Sequence, residues 1–364
     1  MNRTKLHELA DLGQSIWLDN ISRGMIESGK LQDWIDRGLR GLTSNPSIFN
    51  KSISQSCEYD RMIAQLRSAG RSTFEIYDEL TIRDIRDAAD LFAPVYRDTE
   101  KLDGYVSLEI NPELADDTEA SIREGKRLFE KVGRENLMIK VPATEAGFPV
   151  VTELLACGIN VNVTLIFSRE QYRKTVQAFL KGTQGNDKGA HSVASVFVSR
   201  VDTVADKLIS EHLNSVQDVT QKKALELFKG QAAQANCRLI FEDWQKLFSN
   251  KPAPVQRVLW GSTSTKNPEY SDIKYVSELI AGPTVNTVPE KTLLAFLDHG
   301  TAVQALTQDA RQAEKIIDTL HTHEIAIDAI CAQLLIDGVE AFKRAFTELL
   351  TSIETKASQL CSSS

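Results

Sequence analysis

Short apolar runs alternate with longer segments of helical periodicity along most of the chain. The runs are rich in β-branched and aromatic residues and end in polar or turn-forming residues, a pattern typical of strands. The segments between them repeat apolar residues at three- and four-residue spacing, which predicts amphipathic helices. We count eight such runs. Strands that alternate with helices in this way favour an α/β fold with a parallel sheet.

The predicted strands cover residues 15–19, 39–43, 104–110, 136–142, 159–167, 192–200, 255–264 and 284–288. The predicted helical segments include residues 22–38, 48–98, 146–157, 202–249 and 302–357. Eight strands match a (β/α)8 barrel of the TIM type. Because no linker, repeat or low-complexity segment divides the chain, we expect one barrel domain over residues 1–364. The segments around 202–249 and 302–357 would be additional helices.

An open, doubly wound sheet would also alternate strands with helices, so the pattern alone leaves this alternative open. Such sheets usually bind a nucleotide or dinucleotide at a glycine-rich turn after the first strand. The sequence has no GxGxxG turn there and no Walker A loop. The barrel is therefore the preferred prediction.

Composition narrows the class of protein. The 364 residues are 42% hydrophobic and 25% charged, and the net charge of -8 argues against a nucleic-acid or anionic-membrane surface. The five cysteines lie far apart without a CxxC pair, which indicates reduced thiols rather than disulfides or a zinc site. No apolar run reaches the ~18 residues of a membrane span, and the six histidines are scattered. We expect a cytoplasmic protein without a metal.

Polar side chains recur where the predicted strands end. Each has an ordinary explanation when taken alone, as a turn, cap or surface residue. Lys140, for example, can snorkel out of a strand end. In a barrel, however, the C-terminal ends of all strands meet at one mouth. That mouth would collect two carboxylates, two amides, hydroxyls, an arginine and two lysines: Asp19, Asn45, Glu109, Lys140, Asn162, Thr164, Ser195, Arg200, Ser264 and Lys266.

This set of groups suits one kind of chemistry. A lysine removed from water can condense with a ketone to form an imine, which accepts electrons as a metal would. Two separated carboxylates can move the protons that imine formation and carbon–carbon cleavage require. Amides can hold sugar hydroxyls, and an arginine with a lysine can bind a phosphate.

Five motifs occur in the order in which they are found in one known family: Gly41–Phe49, Val106–Ile110, Leu137–Pro142, Asn160–Ser168 and Ala194–Arg200. Together they resemble the transaldolases, and Trp260–Pro268 with Val285–Pro289 resembles the longer bacterial branch. The resemblance implies a (β/α)8 barrel and transfer of a dihydroxyacetone unit without a cofactor. The donor would be sedoheptulose 7-phosphate and the acceptor glyceraldehyde 3-phosphate. Erythrose 4-phosphate and fructose 6-phosphate would be the products, as in the non-oxidative pentose phosphate pathway.

The resemblance also implies residue roles. Lys140 matches the Schiff-base lysine, Asp19 the acid/base, and Glu109 with Thr164 the pair that positions a catalytic water. The remaining matches are residues that bind substrate. Asn45 and Asn162 would bind the dihydroxyacetone hydroxyls, and Ser195 and Phe197 would line the same site. Arg200, Ser264 and Lys266 would bind the phosphate. Much of the family has an arginine where this chain has Lys266, a point charge instead of a bidentate fork. A monomer or homodimer is expected.

Two other functions are also compatible with the sequence. One is an aldolase resembling fructose-6-phosphate aldolase, which releases free dihydroxyacetone. Those relatives are shorter and carry tyrosine where this chain has Phe197, and only a phenol can donate a proton there. The other is a barrel that binds sugar phosphates without turnover. The intact acid/base set favours an enzyme.

Overall fold

The computed structural model describes residues 3–185, 189–249, 255–306 and 310–362. Over this part of the chain, eight strands close into one barrel. In chain order they are β1 Gln14–Asp19, β2 Gly41–Thr43, β3 Tyr105–Glu109, β4 Leu137–Pro142, β5 Asn160–Ile166, β6 Ser192–Phe197, β7 Gln256–Gly261 and β8 Thr284–Val288. Each strand pairs in parallel with the next, and β1 pairs with β8 to close the barrel. The predicted number of strands and the predicted (β/α)8 architecture are confirmed.

Helices surround the barrel. They are α1 Lys5–Asp11, α2 Arg23–Glu27, α3 Lys30–Asp36, α4 Pro46–Ser54, α5 Asp60–Ser68, α6 Thr73–Asp98, α7 Thr118–Val132, α8 Gly147–Ala156, α9 Arg169–Thr183, α10 Ser199–Ser215, α11 Val219–Glu226, α12 Ala232–Phe248, α13 Lys274–Ser277, α14 Glu290–His299, α15 Arg311–Thr322 and α16 Ile327–Ser362. A 3₁₀ turn, Pro112–Leu114, follows β3. Among the described helices, none is long and apolar enough to cross a membrane.

Several long helical segments are shorter than predicted. The predicted helix 22–38 is broken at Gly29, whose φ of 83° lies in the left-handed region that glycine adopts most easily. The predicted segment 48–98 is three helices, and Ser72 starts the last of them with a capping box. Residues 302–306 are not helical, and residues 307–309 of that predicted segment lie outside the described residues.

The sixth strand also ends earlier than predicted. Its apolar pattern continues to Val198, but β6 ends at Phe197 and α10 begins at Ser199. The backbone N–H groups of Val198 and Ser199 still donate to the carbonyls of Gly261, at the end of β7, and of Ser262, just after it, at 3.0 and 3.1 Å. Arg200 therefore lies in the first turn of a helix and not at a strand end.

The interior of the barrel is divided into an apolar layer and a polar mouth. The apolar layer consists of buried side chains that pack on one another inside the barrel or against it: Trp17, Tyr96, Tyr105, Met138, Val193, Leu259 and Val285. Met138 lies two residues before Lys140 on β4, so both side chains point to the same face of the strand. The layer thus fills the barrel beneath Lys140, and the space above it is open to polar residues.

The last helix, α16, lies outside the barrel and packs against it. It contacts α4, α5, α6 and α10, and it also reaches β5. Near its start, Cys331 donates to the Phe167 carbonyl at 3.4 Å. Near its end, Lys356 donates to the Ile53 carbonyl at 2.9 Å and pairs with Asp60 at 2.7 Å. These contacts hold the middle of the helix, including Phe342, at the mouth of the barrel.

Candidate active site

A cavity of about 210 Å³ lies at the C-terminal ends of the strands. Every predicted site residue except Glu109 lines it: Asp19, Asn45, Lys140, Asn162, Thr164, Ser195, Phe197, Arg200, Ser264 and Lys266. They come from strands, from the loops after β2 and β7, and from α10. Residues far apart in the sequence meet here because parallel strands bring their C-terminal ends to one face.

Lys140 is buried in the wall of this cavity, with 4% of its surface exposed. Its Nζ donates to the Ser44 carbonyl at 3.2 Å and lies 3.5 Å from Oε2 of Glu109. The ring of Phe342 lies 5.4 Å from Nζ. The amine thus faces the cavity on one side and protein groups on the others. Its burial excludes the alternative in which the side chain snorkels into water.

Glu109 lies behind Lys140, outside the main cavity. It lines a second, much smaller crevice of about 10 Å³ between the ends of β3 and β4 and helix α16. Burial raises the pKa of the Glu109 carboxyl to about 7, and the neighbouring Lys140 opposes that rise. A carboxyl with this pKa can both accept and donate a proton near neutral pH.

Asp19 ends β1 and reaches the cavity from the far side of the barrel. Burial raises the pKa of its carboxyl, and the charges of Lys140 and Lys266 oppose that rise. The site therefore has two carboxyls in different surroundings, one in the cavity and one behind the amine. Such a pair can divide two proton transfers between them.

The amide of Asn162 is oriented by two hydroxyl groups. Its Oδ1 accepts from Ser195 at 2.6 Å, and its Nδ2 donates to Ser107 at 3.0 Å. All three side chains are buried. Asn45 is placed differently: its Oδ1 caps α4 by accepting from the Ile48 N–H at 2.9 Å. Its amide nitrogen has no protein partner among the described hydrogen bonds and can donate to a bound hydroxyl.

Thr164 lies on β5, where the strand is irregular. The pairing of β5 with β6 shifts between Val163 and Ile166, and Leu165 has a positive φ of 59°. The Thr164 side chain is buried, and its hydroxyl has no partner within the described part of the chain. A buried polar group without a partner is costly, so a bound molecule or water is the natural partner for this hydroxyl.

The positive groups lie at one side of the mouth. The guanidinium of Arg200 lies 5.5 Å from the ring centre of Phe197, which also lines the cavity. Lys266 is exposed, and Ser264 is partly exposed, in the loop after β7. A half-buried arginine and an exposed lysine that line the same cavity can together bind a phosphate at its rim.

Sequence reasoning missed several lining residues: Thr43, Leu259, Gly261, Ser262, Thr287, Pro289 and Phe342. Thr43 and Thr287 lie at or next to the ends of predicted strands. The rule that polar residues at strand ends meet at the barrel mouth (the strand-end rule) could therefore have found them. Nothing in the sequence marks Phe342, because its apolar spacing in α16 is the ordinary pattern of a packed helix. Within the described residues, no group of three or more histidine, cysteine or acidic side chains could hold a metal ion.

The closed barrel with a buried amine–carboxyl pair at its C-terminal mouth defines a (β/α)8-barrel enzyme. The sequence model of the transaldolase/fructose-6-phosphate aldolase family matches residues 16–353, and the chain belongs to this family.

The similarity to other proteins extends over almost the whole chain. A transaldolase of Trichodesmium erythraeum is 45% identical over 98% of this chain and 98% of its own length. Transaldolase 2 of a Nostoc species is 42% identical over the same shares of both chains. A transaldolase of Mycobacterium tuberculosis is 41% identical over 97% of this chain and 96% of its own.

Proposed function

We propose that the protein is a transaldolase that works through a Schiff base on Lys140. The observation that carries this proposal is the burial of Lys140 in the cavity wall with Glu109 3.5 Å behind it and Asp19 in the same cavity. The names of its relatives support the same activity.

The proposed reaction has four steps: imine formation, carbon–carbon cleavage, addition to the acceptor and hydrolysis. The Lys140 amine adds to the ketone carbon of sedoheptulose 7-phosphate, and water leaves to give the imine. Asp19 takes the proton of the hydroxyl beside the breaking carbon–carbon bond, erythrose 4-phosphate departs, and an enamine stays on Lys140. The enamine carbon then adds to the aldehyde of glyceraldehyde 3-phosphate, and Asp19 returns its proton to the new hydroxyl oxygen. Water hydrolyses the resulting imine, which releases fructose 6-phosphate and the Lys140 amine.

The other residues have supporting roles in this proposal. Glu109 and the free hydroxyl of Thr164 hold the water that is lost and regained. The amides of Asn45 and Asn162, with Ser195, hold the hydroxyls of the three-carbon unit. Arg200, Ser264 and Lys266 bind the phosphate at the rim.

An aldolase that releases dihydroxyacetone is the second candidate, because the family includes such enzymes. Phe197 favours transfer over release, since a phenyl ring has no proton to give the enamine. Full-length similarity to proteins named transaldolase supports the same choice.

We also propose that residues 1–364 form one domain of a cytoplasmic protein, a monomer or homodimer that needs no cofactor. The contacts of α16 with four other helices support the single domain. The five described cysteines are free, as expected for a reducing compartment.

Borohydride trapping tests the function. The protein is incubated with fructose 6-phosphate and borohydride, and the modified peptide is identified by mass spectrometry. The adduct is expected on Lys140 and should be absent from Lys140→Ala. Lys51→Ala, which removes an exposed lysine near the mouth, should still be labelled. Bound ligand without an adduct would favour a non-catalytic sugar-phosphate-binding barrel.

A further inference from the structure

Phe342 lines two neighbouring spaces at the mouth of the barrel. It lines the main cavity and also the small crevice that contains Glu109. Its ring centre lies 5.4 Å from Lys140 Nζ, and only 7% of its surface is exposed. The two spaces therefore share one aromatic side chain as a wall, and that side chain comes from α16 rather than from the barrel.

The position of Phe342 is fixed by close packing of α16. One turn earlier, Gly338 lies so close to the barrel that an added Cβ would meet Leu165 at 3.0 Å. One turn later, Phe346 packs edge-on against Tyr77 with ring centres 5.2 Å apart. Between them, Lys343 pairs with Asp116 at 3.1 Å. The wall is thus held from both sides along the helix.

The crevice behind the wall is the size of a single water molecule. Its volume of about 10 Å³ matches the space that one water occupies. It is lined by Glu109 and Asn111 and by apolar residues such as Leu165 and Val339. The crevice therefore has room for about one water beside Glu109, whose carboxyl lies 3.5 Å from the Lys140 amine.

We propose that Phe342 is a positioning residue whose ring separates the Lys140 imine from additional water, so that the three-carbon unit passes to an aldehyde rather than to water. This inference rests on the Schiff-base function proposed above. In the competing step, the enamine carbon takes a proton, water adds to the imine carbon, and the carbon–nitrogen bond breaks. Free dihydroxyacetone and the Lys140 amine result, one water is consumed, and nothing is oxidised or reduced.

The test measures how the three-carbon unit is divided between the two fates. Fructose 6-phosphate is the donor and erythrose 4-phosphate the acceptor, and the ratio of free dihydroxyacetone to transfer product is determined. In Phe342→Ala this ratio should rise about three- to tenfold, because water can then reach the imine through the space that the ring had filled. Phe342→Val takes its place if the alanine variant does not fold.

Two matched variants distinguish the exclusion of water by the Phe342 ring from its contribution to the packing of α16. Phe342→Leu retains an apolar side chain of similar reach, so its ratio should stay near that of the wild type. Phe346→Leu removes a buried ring from the same helix, outside both spaces, so it reports on loosened packing of α16 alone. Its ratio should also stay near that of the wild type.

The outcomes distinguish this inference from the function on which it rests. An unchanged ratio in Phe342→Ala, with Lys140 still trapped by borohydride, overturns the wall and leaves the Schiff base intact. An equal rise in Phe346→Leu overturns it as well, because loosened helix packing would then explain the effect. Absence of trapping in the wild type overturns the Schiff-base function itself.

Discussion

Glu109 and Lys140 occupy directly paired positions on neighbouring strands, and Oε2 of one lies 3.5 Å from Nζ of the other. Both side chains are about 5% exposed. The parallel register of β3 and β4 therefore fixes the separation of carboxyl and amine, with no contribution from a flexible loop. Since Glu109 lies outside the main cavity, a substrate can approach Lys140 without displacing the carboxyl.

The first prediction concerns the pH dependence of turnover. Burial raises the pKa of Glu109 to about 7, so its carboxyl is mostly ionised above that pH and protonated below it. A step that needs the ionised base should slow as the pH falls through about 7. Glu109→Gln should lower kcat by about 10²-fold or more and remove this acid limb from the kcat profile.

The control for this prediction is Glu113→Gln, which removes an exposed carboxylate from the turn after β3. It should keep the kcat and the pH profile of the wild type. An acid limb that survives unchanged in Glu109→Gln would assign the titration to another group, with Asp19 the first to examine.

The second prediction concerns phosphate binding by the positive side chains at the rim of the cavity. Arg200→Ala should raise KM for phosphorylated ketoses about ten- to a hundredfold, because a charge-assisted hydrogen bond contributes about 1.5–3 kcal/mol. Lys266→Ala should raise KM only about two- to fivefold, because Lys266 is exposed and exposed charge pairs are weak. An unphosphorylated ketose measures the background. If Arg200→Ala weakens that substrate equally, the arginine does not bind the phosphate.

The strand-end rule explains why most of this site could be predicted from the sequence. Asp19, Lys140 and Asn162 each lie on a strand, where alternation fixes the face of the side chain. The apolar pattern of β6 continues through Val196–Val198 and predicts a strand up to Arg200, whereas the chain turns into α10 at Ser199. The sequence nevertheless predicts the place of Arg200 in the cavity, because a strand end and the start of the following helix lie at the same mouth.

The contribution of α16 could not be predicted in the same way. The sequence shows a helix, but the place where a helix docks depends on contacts with distant residues such as Phe167 and Asp60. Single residues also determine where helices break. Gly29 interrupts a predicted helix because its backbone adopts the left-handed conformation. Periodicity describes faces and lengths, and it carries no information about such long-range contacts.

The third prediction concerns the orientation of Asn162. Ser107 is fully buried, outside the residues that line the cavity, and accepts from the Asn162 amide at 3.0 Å. Ser107→Ala should free that amide to rotate and lower kcat/KM about three- to tenfold, the effect of losing one buried hydrogen bond. Ser121→Ala removes another buried hydroxyl, from a residue that does not line the cavity, and should leave kcat/KM unchanged. Equal losses in the two variants would indicate a general folding defect.

The fourth prediction concerns stability. Asp202 on α10 is 1% exposed, and it accepts hydrogen bonds from the Ala233 N–H at 2.7 Å and the Tyr275 hydroxyl at 2.8 Å. Burial nevertheless raises the pKa of its carboxyl from 3.8 to about 6, with the charge of Asp206 adding to the rise. The folded protein therefore binds a proton here more tightly than the unfolded chain does.

The sign of the effect follows from this linkage. The contribution of Asp202 to stability is fully present below pH 3.8 and is lost as the pH rises through about 6. Asp202→Asn resembles the neutral form, so its free energy of unfolding should exceed that of the wild type by about 1–3 kcal/mol at pH 8. The difference should shrink toward zero at pH 4. Urea denaturation at pH 4, 6 and 8 measures it, and a difference independent of pH would show that Asp202 is not the group that titrates.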